Sequence, residues 1–191
     1  AVELMNSRAK MLGMNDTVYT DCTGMGEGNV TTAKDTALLC SELAKYKNLT
    51  PYLTCWLDTV RDGKAELVNL NRLVRTYKGV TGMKAWGSEK AGSCIAATAE
   101  KGDMSVCVVL NGCDSQEDMS AEAKKLLNLA FDTYEIYTPE LPEDMVKETV
   151  VCGGEELSVG LAPEGLYPIV IPRGTYRMVE CDFTAEEKLD A

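Results

Sequence analysis

The 191 residues carry 30 acidic and 19 basic side chains, a formal charge of −11, with 45% apolar content and no run approaching the ~20 apolar residues needed to span a bilayer. That charge repels polyanions, and no Lys/Arg cluster large enough to offset it is visible, which argues against a nucleic-acid partner. The chain has no histidine, so a Ser-His-Asp triad, a Cys-His pair and His-ligated metal sites are excluded, and acid–base work falls to Lys, carboxylates, Tyr or Cys.

In chain order, residues 1–12 read as a helix, with Ala1, Val2, Met5, Ala9 and Leu12 on one side and Glu3, Asn6, Ser7 and Lys10 on the other. Gly13 follows as its C-cap. These first residues lack the basic start and apolar core of a signal peptide. They read as a helix interior, so the chain is expected to start within a larger protein. A second helix is expected over "AKDTALLCSELAKY", opened by Thr32 and Asp35 as a capping box, with Ala37, Leu38, Ser41 and Ala44 in one stripe.

From Leu67 the texture turns to short extended runs, "LVNLNRLV", "GVTGMKA", "SCIAATAE" and "MSVCVVLNG", with Lys101-Gly102-Asp103 as a hairpin turn. Those runs predict an antiparallel meander. Asp114 and Ser115 cap a long helix, "QEDMSAEAKKLLNLAFDTYEIY", in which Ala123, Leu126, Leu127, Ala130 and Tyr134 recur at helical spacing. After the Pro-bearing link "TPELPED" come "MVKETVVC", "ELSVGL", "LYPIVI" and "TYRMVECDF", four short strands with turns at Gly153-Gly154 and Pro172-Arg173-Gly174. About 50 residues of all-β pattern is small for a free-standing domain and is expected to be the start of one. The eight cysteines (22, 40, 55, 94, 107, 113, 152, 181) contain no C-x-x-C, and most are expected to be buried free thiols.

Three stretches bear on chemistry. Ser7 and Lys10 spell Ser-x-x-Lys, but a nucleophilic Ser with a Lys base must face a desolvated cleft. On the wheel both share the water side with Glu3, so they read as a solvated helix face. In "GVTGMKAWGSEKAGSC", Lys84 at a strand end followed by glycine can aim an ammonium at a substrate carboxylate while strand N–H groups offer an oxyanion or strand-addition site. Pattern alone favours an ordinary exposed lysine. Trp86, among Gly82, Gly87 and Gly92, is either a stacking surface or a partly buried aromatic filling space beside small residues, the second being favoured. Tyr46-Lys47-Asn48 resembles a Tyr-x-Asn site but sits near a helix C-terminus.

Taken in order, "LMNSRAKMLGMNDTVYTDCTGM", "TTAKDTALLCSELAKY", "ELVNLNRLVRTYKGVTGMKAWGSEKAGSCIAATAEKGDMSVCVVLNGCDS" and "AKKLLNLAFDTYEIY" resemble segments of the low-molecular-mass penicillin-binding proteins, the serine D-alanyl-D-alanine carboxypeptidases of bacterial cell-wall metabolism. Residues from about Met145 onward resemble the first half of the β-rich domain that follows the catalytic domain there. The resemblance implies an α+β fold: residues 1–137 as the later part of a transpeptidase/β-lactamase-like domain, an antiparallel sheet with helices, and 138–191 as the start of a small all-β domain. It implies hydrolysis of terminal D-Ala from peptidoglycan pentapeptide through an acyl-serine, no cofactor and no metal, and a place outside the cytoplasm facing the cell wall.

Of the family's three motifs, Ser-x-x-Lys and Ser-x-Asn precede the segment matching Met5 onward, and Ser7 to Lys10 align with a later, non-catalytic helix. The third, Lys-Thr-Gly, falls on Lys84-Ala85-Trp86. Lys84 is retained as carboxylate anchor, Ala85 lacks the hydroxyl, Trp86 replaces glycine, and the Gly87 N–H corresponds to an oxyanion donor. Residues Lys84, Ala85, Trp86 and Gly87 are therefore the expected substrate-binding set, with no catalytic residue in the chain. The expected partner is the peptidoglycan stem peptide, with the rest of the catalytic domain or a second copy covering the sheet face that a missing helix leaves bare. A competing expectation is a non-catalytic module that holds a cell-wall peptide or a protein strand in the remnant cleft.

Overall fold

A computed structural model describes residues 1–140, 148–155, 157–161, 167–182 and 188–190. The chain divides into two units, Ala1–Asp132 and Thr133–Ala191.

In the first unit, α1 (Val2–Met11) ends where Gly13 adopts φ 77°. There the Gly13 N–H donates to Lys10 O at 3.1 Å and the Met14 N–H to Ala9 O at 3.0 Å, satisfying carbonyls the last turn would otherwise leave open. Ala9 is the one buried residue of α1; Ser7 and Lys10 are exposed. Asn6, expected on the water side, is half-buried instead. Its Nδ2 donates to Tyr19 O at 2.7 Å and its Oδ1 accepts from the Tyr19 N–H at 2.8 Å, so the amide pairs with both backbone groups of one residue.

The helix α2 (Ala33–Leu43) starts at Thr32, whose hydroxyl accepts from the Asp35 N–H at 3.1 Å. The expected capping box is only half made, because the Asp35 carboxylate is used elsewhere. It accepts from the Asp16 N–H at 2.9 Å and from the Thr17 hydroxyl at 2.7 Å while only 1% exposed. The start of α2 thereby pins the loop that leaves α1.

A 3-10 turn (Lys47–Leu49), α3 (Thr50–Leu53) and a hairpin of β1 (Leu57–Val60) and β2 (Ala65–Val68) follow. The hairpin departs from the sequence reading, which placed extended runs only from Leu67. Its turn carries Arg61, Asp62 and Gly63 at φ 56°, 55° and 81°, a left-handed conformation that few non-glycine residues adopt. Beyond β2 the run "LVNLNRLV" leaves strand geometry for the short helix α4 (Leu73–Thr76), anchored by fully buried Leu73.

The sheet of this unit has the order β3-β4-β5: β3 (Val80–Ser88), β4 (Gly92–Lys101) and β5 (Met104–Cys113), all antiparallel. As expected, Lys101 pairs with Met104 across a two-residue turn, with Gly102 at φ 65°. Cys94, Ile95, Ala96, Ala97, Thr98 and Ala99 of β4 are all buried, so the strand is covered on both faces. On one face Cys40 of α2 joins Met83 and Ala96 in a buried cluster, with Cys107, Val109 and Trp86 packed around it. The other face carries Ile95, Ala97 and Ala99, and at the strand end the Lys101 ammonium lies 6.0 Å from the ring of Phe131 on α5 (Gln116–Thr133). The cap of α5 is Ser115, whose hydroxyl accepts from the Asp118 N–H at 3.0 Å. Its buried line is Met119, Ala123, Leu127 and Phe131. The expected stripe was rotated from this: Leu126 and Tyr134 are exposed, because the helix stops at Thr133 and Tyr134 enters a strand.

In the second unit β6 (Tyr134–Tyr137) pairs antiparallel with β9 (Ile169–Pro172). A second sheet has the order β10-β7-β8, with β7 (Glu148–Cys152) antiparallel to β8 (Ser158–Gly160) and parallel to β10 (Lys188–Asp190). The Glu135 carboxylate accepts from the Gly174 N–H at 2.7 Å, closing the turn after β9. The expected strand "TYRMVECDF" is instead a 3-10 turn over Tyr176–Met178, since the Met178 N–H reaches back to Thr175 O at 2.8 Å; Phe183 lies outside the described residues, as do the ends of "TPELPED" and the start of "MVKETVVC".

All eight cysteines are free thiols. Only Cys40 and Cys94 are buried, while Cys22, Cys55, Cys152 and Cys181 are exposed, which corrects the expectation that most are interior. Among the described residues no helix is long and apolar enough to cross a membrane.

Replacing Asp35 by Ala strands the Asp16 N–H and the Thr17 hydroxyl. Urea unfolding is expected to show a loss of about 1–3 kcal/mol, with Asp35→Asn losing less because both bonds meet at one carboxylate oxygen, whose place the amide oxygen can take.

Candidate functional site

Lys84, Ala85, Trp86 and Gly87 lie together on the final half of β3, the strand at the edge of its sheet. The register sets Lys84 opposite Ala96, Ala85 opposite Ile95, Trp86 opposite Cys94 and Gly87 opposite Ser93. Side chains alternate along a strand, so Lys84 and Trp86 share one face while Ala85 takes the other with Ile95. Lys84 is exposed, Ala85 is 4% exposed, and Trp86 is half-buried against the Cys40, Met83 and Ala96 cluster. The indole fills space beside small residues. Among the described residues β3 pairs only with β4, which leaves its other edge without a strand partner.

What holds this edge in place was not visible in the sequence reading. Asn71, fully buried, donates from Nδ2 to Gly82 O at 3.3 Å and accepts at Oδ1 from the Leu73 N–H at 3.1 Å, tying α4 to the strand two residues before Lys84. Asn69 in turn accepts from the Asn71 N–H at 2.9 Å and donates to Cys55 O at 3.0 Å. The Asn69-Leu70-Asn71 repeat was the signal, since two short amides flanking one residue are suited to bonding the backbone around them. On the next rung the Thr81 hydroxyl donates to that of Thr98 at 2.8 Å. Gly87 is required for strand approach: a Cβ there would stand 2.9 Å from Gly92 O.

The other candidates lie apart from this strand in structure or in exposure. Ser7 and Lys10 are on the solvent side of α1, as the wheel indicates. Tyr46 is exposed and Lys47 is ion-paired with Glu100. An apolar cavity of about 290 Å³ lies between α1, its following loop and Leu39 of α2, and none of residues 84–87 lines it.

The family model of the D-alanyl-D-alanine carboxypeptidases, peptidase S11, matches residues 1–114. The chain belongs to this family. D-alanyl-D-alanine carboxypeptidase DacF of Bacillus subtilis is 32% identical over 177 residues, covering 91% of this chain and 46% of its own length. DacC of Escherichia coli is 29% identical over 188 residues, with 97% and 47% covered. Among solved structures, penicillin-binding protein 5 from Haemophilus influenzae aligns with a TM-score of 0.83 at 25% identity, over 100% of this chain and 56% of its own. Penicillin-binding protein D2 from Listeria monocytogenes, in its cefotaxime-bound form, aligns with a TM-score of 0.62 at 28% identity, over 68% and 54%. The chain spans about half the length of the curated relatives it matches. Its fold is the mixed helix and antiparallel-sheet arrangement of the penicillin-binding transpeptidase/β-lactamase-like class.

Gly87→Ala drives a methyl into a backbone carbonyl of β4 that cannot yield as a side chain would. Stability is expected to fall by about 1–3 kcal/mol, with hydrogen exchange accelerating first at Ser88 and Ser93.

Proposed function

We propose that the chain derives from a serine-type D-alanyl-D-alanine carboxypeptidase acting on peptidoglycan pentapeptide, as a fragment or a diverged homologue, and that by itself it does not form an acyl-enzyme. In this reading the first unit is the later part of the catalytic domain and the second the start of a β-rich domain. The observation that carries it is the pairing of a retained Lys84 on a free sheet edge with a Ser-x-x-Lys that faces water. Lys84 supplies a positive charge for the terminal carboxylate of a stem peptide, the β3 edge supplies backbone groups for an extended chain, and the Gly87 N–H is the candidate oxyanion donor. Ser7 is no substitute nucleophile, because its hydroxyl and the Lys10 side chain both face solvent on α1, with no cleft to hold a substrate against them. The site faces the cell wall, outside the cytoplasm.

A second reading, a non-catalytic module that holds a cell-wall peptide or a protein strand in the same cleft, is favoured by the residues after Lys84. Ala85 offers no hydroxyl, and its methyl lies in the buried layer with Ile95. Trp86 stands on the Lys84 face, where a large ring limits room for turnover.

The two readings make a common prediction and a dividing one. Incubation of the chain with a fluorescent penicillin is expected to leave it unlabelled, and covalent label on Ser7 or any other serine would overturn the proposal. Titration with a short peptide ending in D-Ala-D-Ala is expected to show binding that Lys84→Ala weakens roughly 10- to 100-fold, the value of one hydrogen bond to a charged group. Unchanged binding in that variant would remove Lys84 from the site. Joining the chain to the earlier part of a related carboxypeptidase restores labelling under the first reading and leaves it absent under the second.

A further inference from the structure

Asn111 and Gly112 lie near the end of β5, and both are exposed. The register pairs Ser93 with Cys113 and Ile95 with Leu110, so Asn111 and Gly112 together stand opposite Cys94 alone. That is a β-bulge, where the ladder is locally broken by an extra residue. Gly112 takes φ 75° there, a left-handed conformation that glycine adopts without the steric cost of a side chain.

Of the chain's asparagines only Asn111 precedes glycine. Its amide also differs in its surroundings. Asn6, Asn29, Asn69, Asn71 and Asn128 all hold side-chain hydrogen bonds, whereas among the described residues none restrains the Asn111 side chain. Asn15 and Asn48 are followed by Asp16 and Leu49, whose side chains crowd the backbone nitrogen that the glycine leaves open.

We propose that Asn111-Gly112 is a site of spontaneous modification, at which the asparagine amide gives way to a carboxylate. The Gly112 backbone nitrogen attacks Cγ of Asn111 and gives up its proton. The bond from Cγ to the side-chain nitrogen breaks, and ammonia leaves carrying that proton. A five-membered succinimide remains, its ring nitrogen bonded to both carbonyl carbons of residue 111. Water adds to one of those carbons, the bond to the ring nitrogen breaks, and the nitrogen recovers a proton. Opening at Cγ gives aspartate, and opening at the main-chain carbonyl gives isoaspartate, whose backbone runs through the former side chain. One amide and one water become one carboxylic acid and one ammonia.

The bulge sits where three strands approach closely. A Cβ on Gly87 would stand 2.9 Å from Gly92 O, and one on Gly92 would stand 3.0 Å from Gly112 Cα. Isoaspartate lengthens the β5 backbone at this point, and the new carboxylate lies just before Asp114 in a chain already at −11. Both effects loosen the end of the sheet that carries Gly87 and Ser88. The inference stands independently of the peptide-binding reading, since the chemistry needs only Asn111, Gly112 and water.

The whole chain is incubated in mildly alkaline buffer, which favours loss of the Gly112 amide proton, and sampled for peptide mapping beside a urea-unfolded control. In the native sample the peptide carrying Asn111 is expected to exchange NH2 for OH, read by mass, before any other asparagine peptide does. Isoaspartyl methyltransferase is expected to label that peptide, and Asn111→Gln is expected to abolish both signals. The converted chain is expected to melt at a lower temperature than the fresh one, with faster hydrogen exchange at Gly87 and Ser88. Earlier conversion of Asn15 or another asparagine, or an intact Asn111 in the native sample after the unfolded control has converted, overturns the site. Unchanged melting and exchange in a fully converted sample overturns its coupling to the sheet end. Should Asn111→Gln fail to fold, mapping of the unaltered chain decides alone.

Discussion

The constraint on which the first unit depends is a central strand with no solvent face. The run Cys94-Ile95-Ala96-Ala97-Thr98-Ala99 on β4 is buried throughout, so layers must lie on both sides of the sheet before any of it is stable. Small side chains make that possible. Four of the six are Ala or Cys, which let α2 approach one face closely, and the one hydroxyl, on Thr98, is matched by Thr81 rather than left bare. With β4 enclosed between neighbours, β3 becomes an outer strand, one edge of which has no strand partner among the described residues.

Lys84 owes its position to this arrangement more than to its own contacts. Its neighbours in sequence alternate between the enclosed layer, where Ala85 sits, and the face shared with Trp86, so the lysine is displayed by residues that are themselves fixed. Asn71 adds a polar brace two residues upstream. The Ala85 methyl in the enclosed layer and the Trp86 indole against the Cys40, Met83 and Ala96 cluster leave the strand well packed.

Legibility in the sequence followed locality. The β4–β5 turn, the Gly13 cap and the Ser115 cap were readable because each is set by a few adjacent residues whose conformational preferences agree. The β1–β2 hairpin was missed because all four residues of β1 are exposed, giving no alternation to detect, and its turn uses Arg61 and Asp62 in a conformation normally left to glycine. The α5 stripe was rotated because apolar Leu126 and Ala130 lie beside the true line of Met119, Ala123, Leu127 and Phe131, and helical periodicity does not separate neighbours so close in angle. Alternation in "TYRMVECDF" mimicked a strand where local backbone bonding makes a turn. At the site, the Lys84 strand was legible as pattern, whereas the braces at Asn69 and Asn71 bond to carbonyls that adjoin them only in the folded chain.

The amide clamp between Asn6 and Tyr19 has a mechanical meaning. Ala9 is the one buried residue of α1, so beyond half-buried Met5 and the Arg8–Glu42 ion pair to α2 little packing resists rolling about its long axis. Two opposed bonds at 2.7 and 2.8 Å to a single backbone residue act as a key in a slot, fixing the azimuth of α1. Which of its sides meets water is therefore decided less by greasiness than by one asparagine, and the outward aim of the serine and lysine one and four positions later is a geometric by-product of that key.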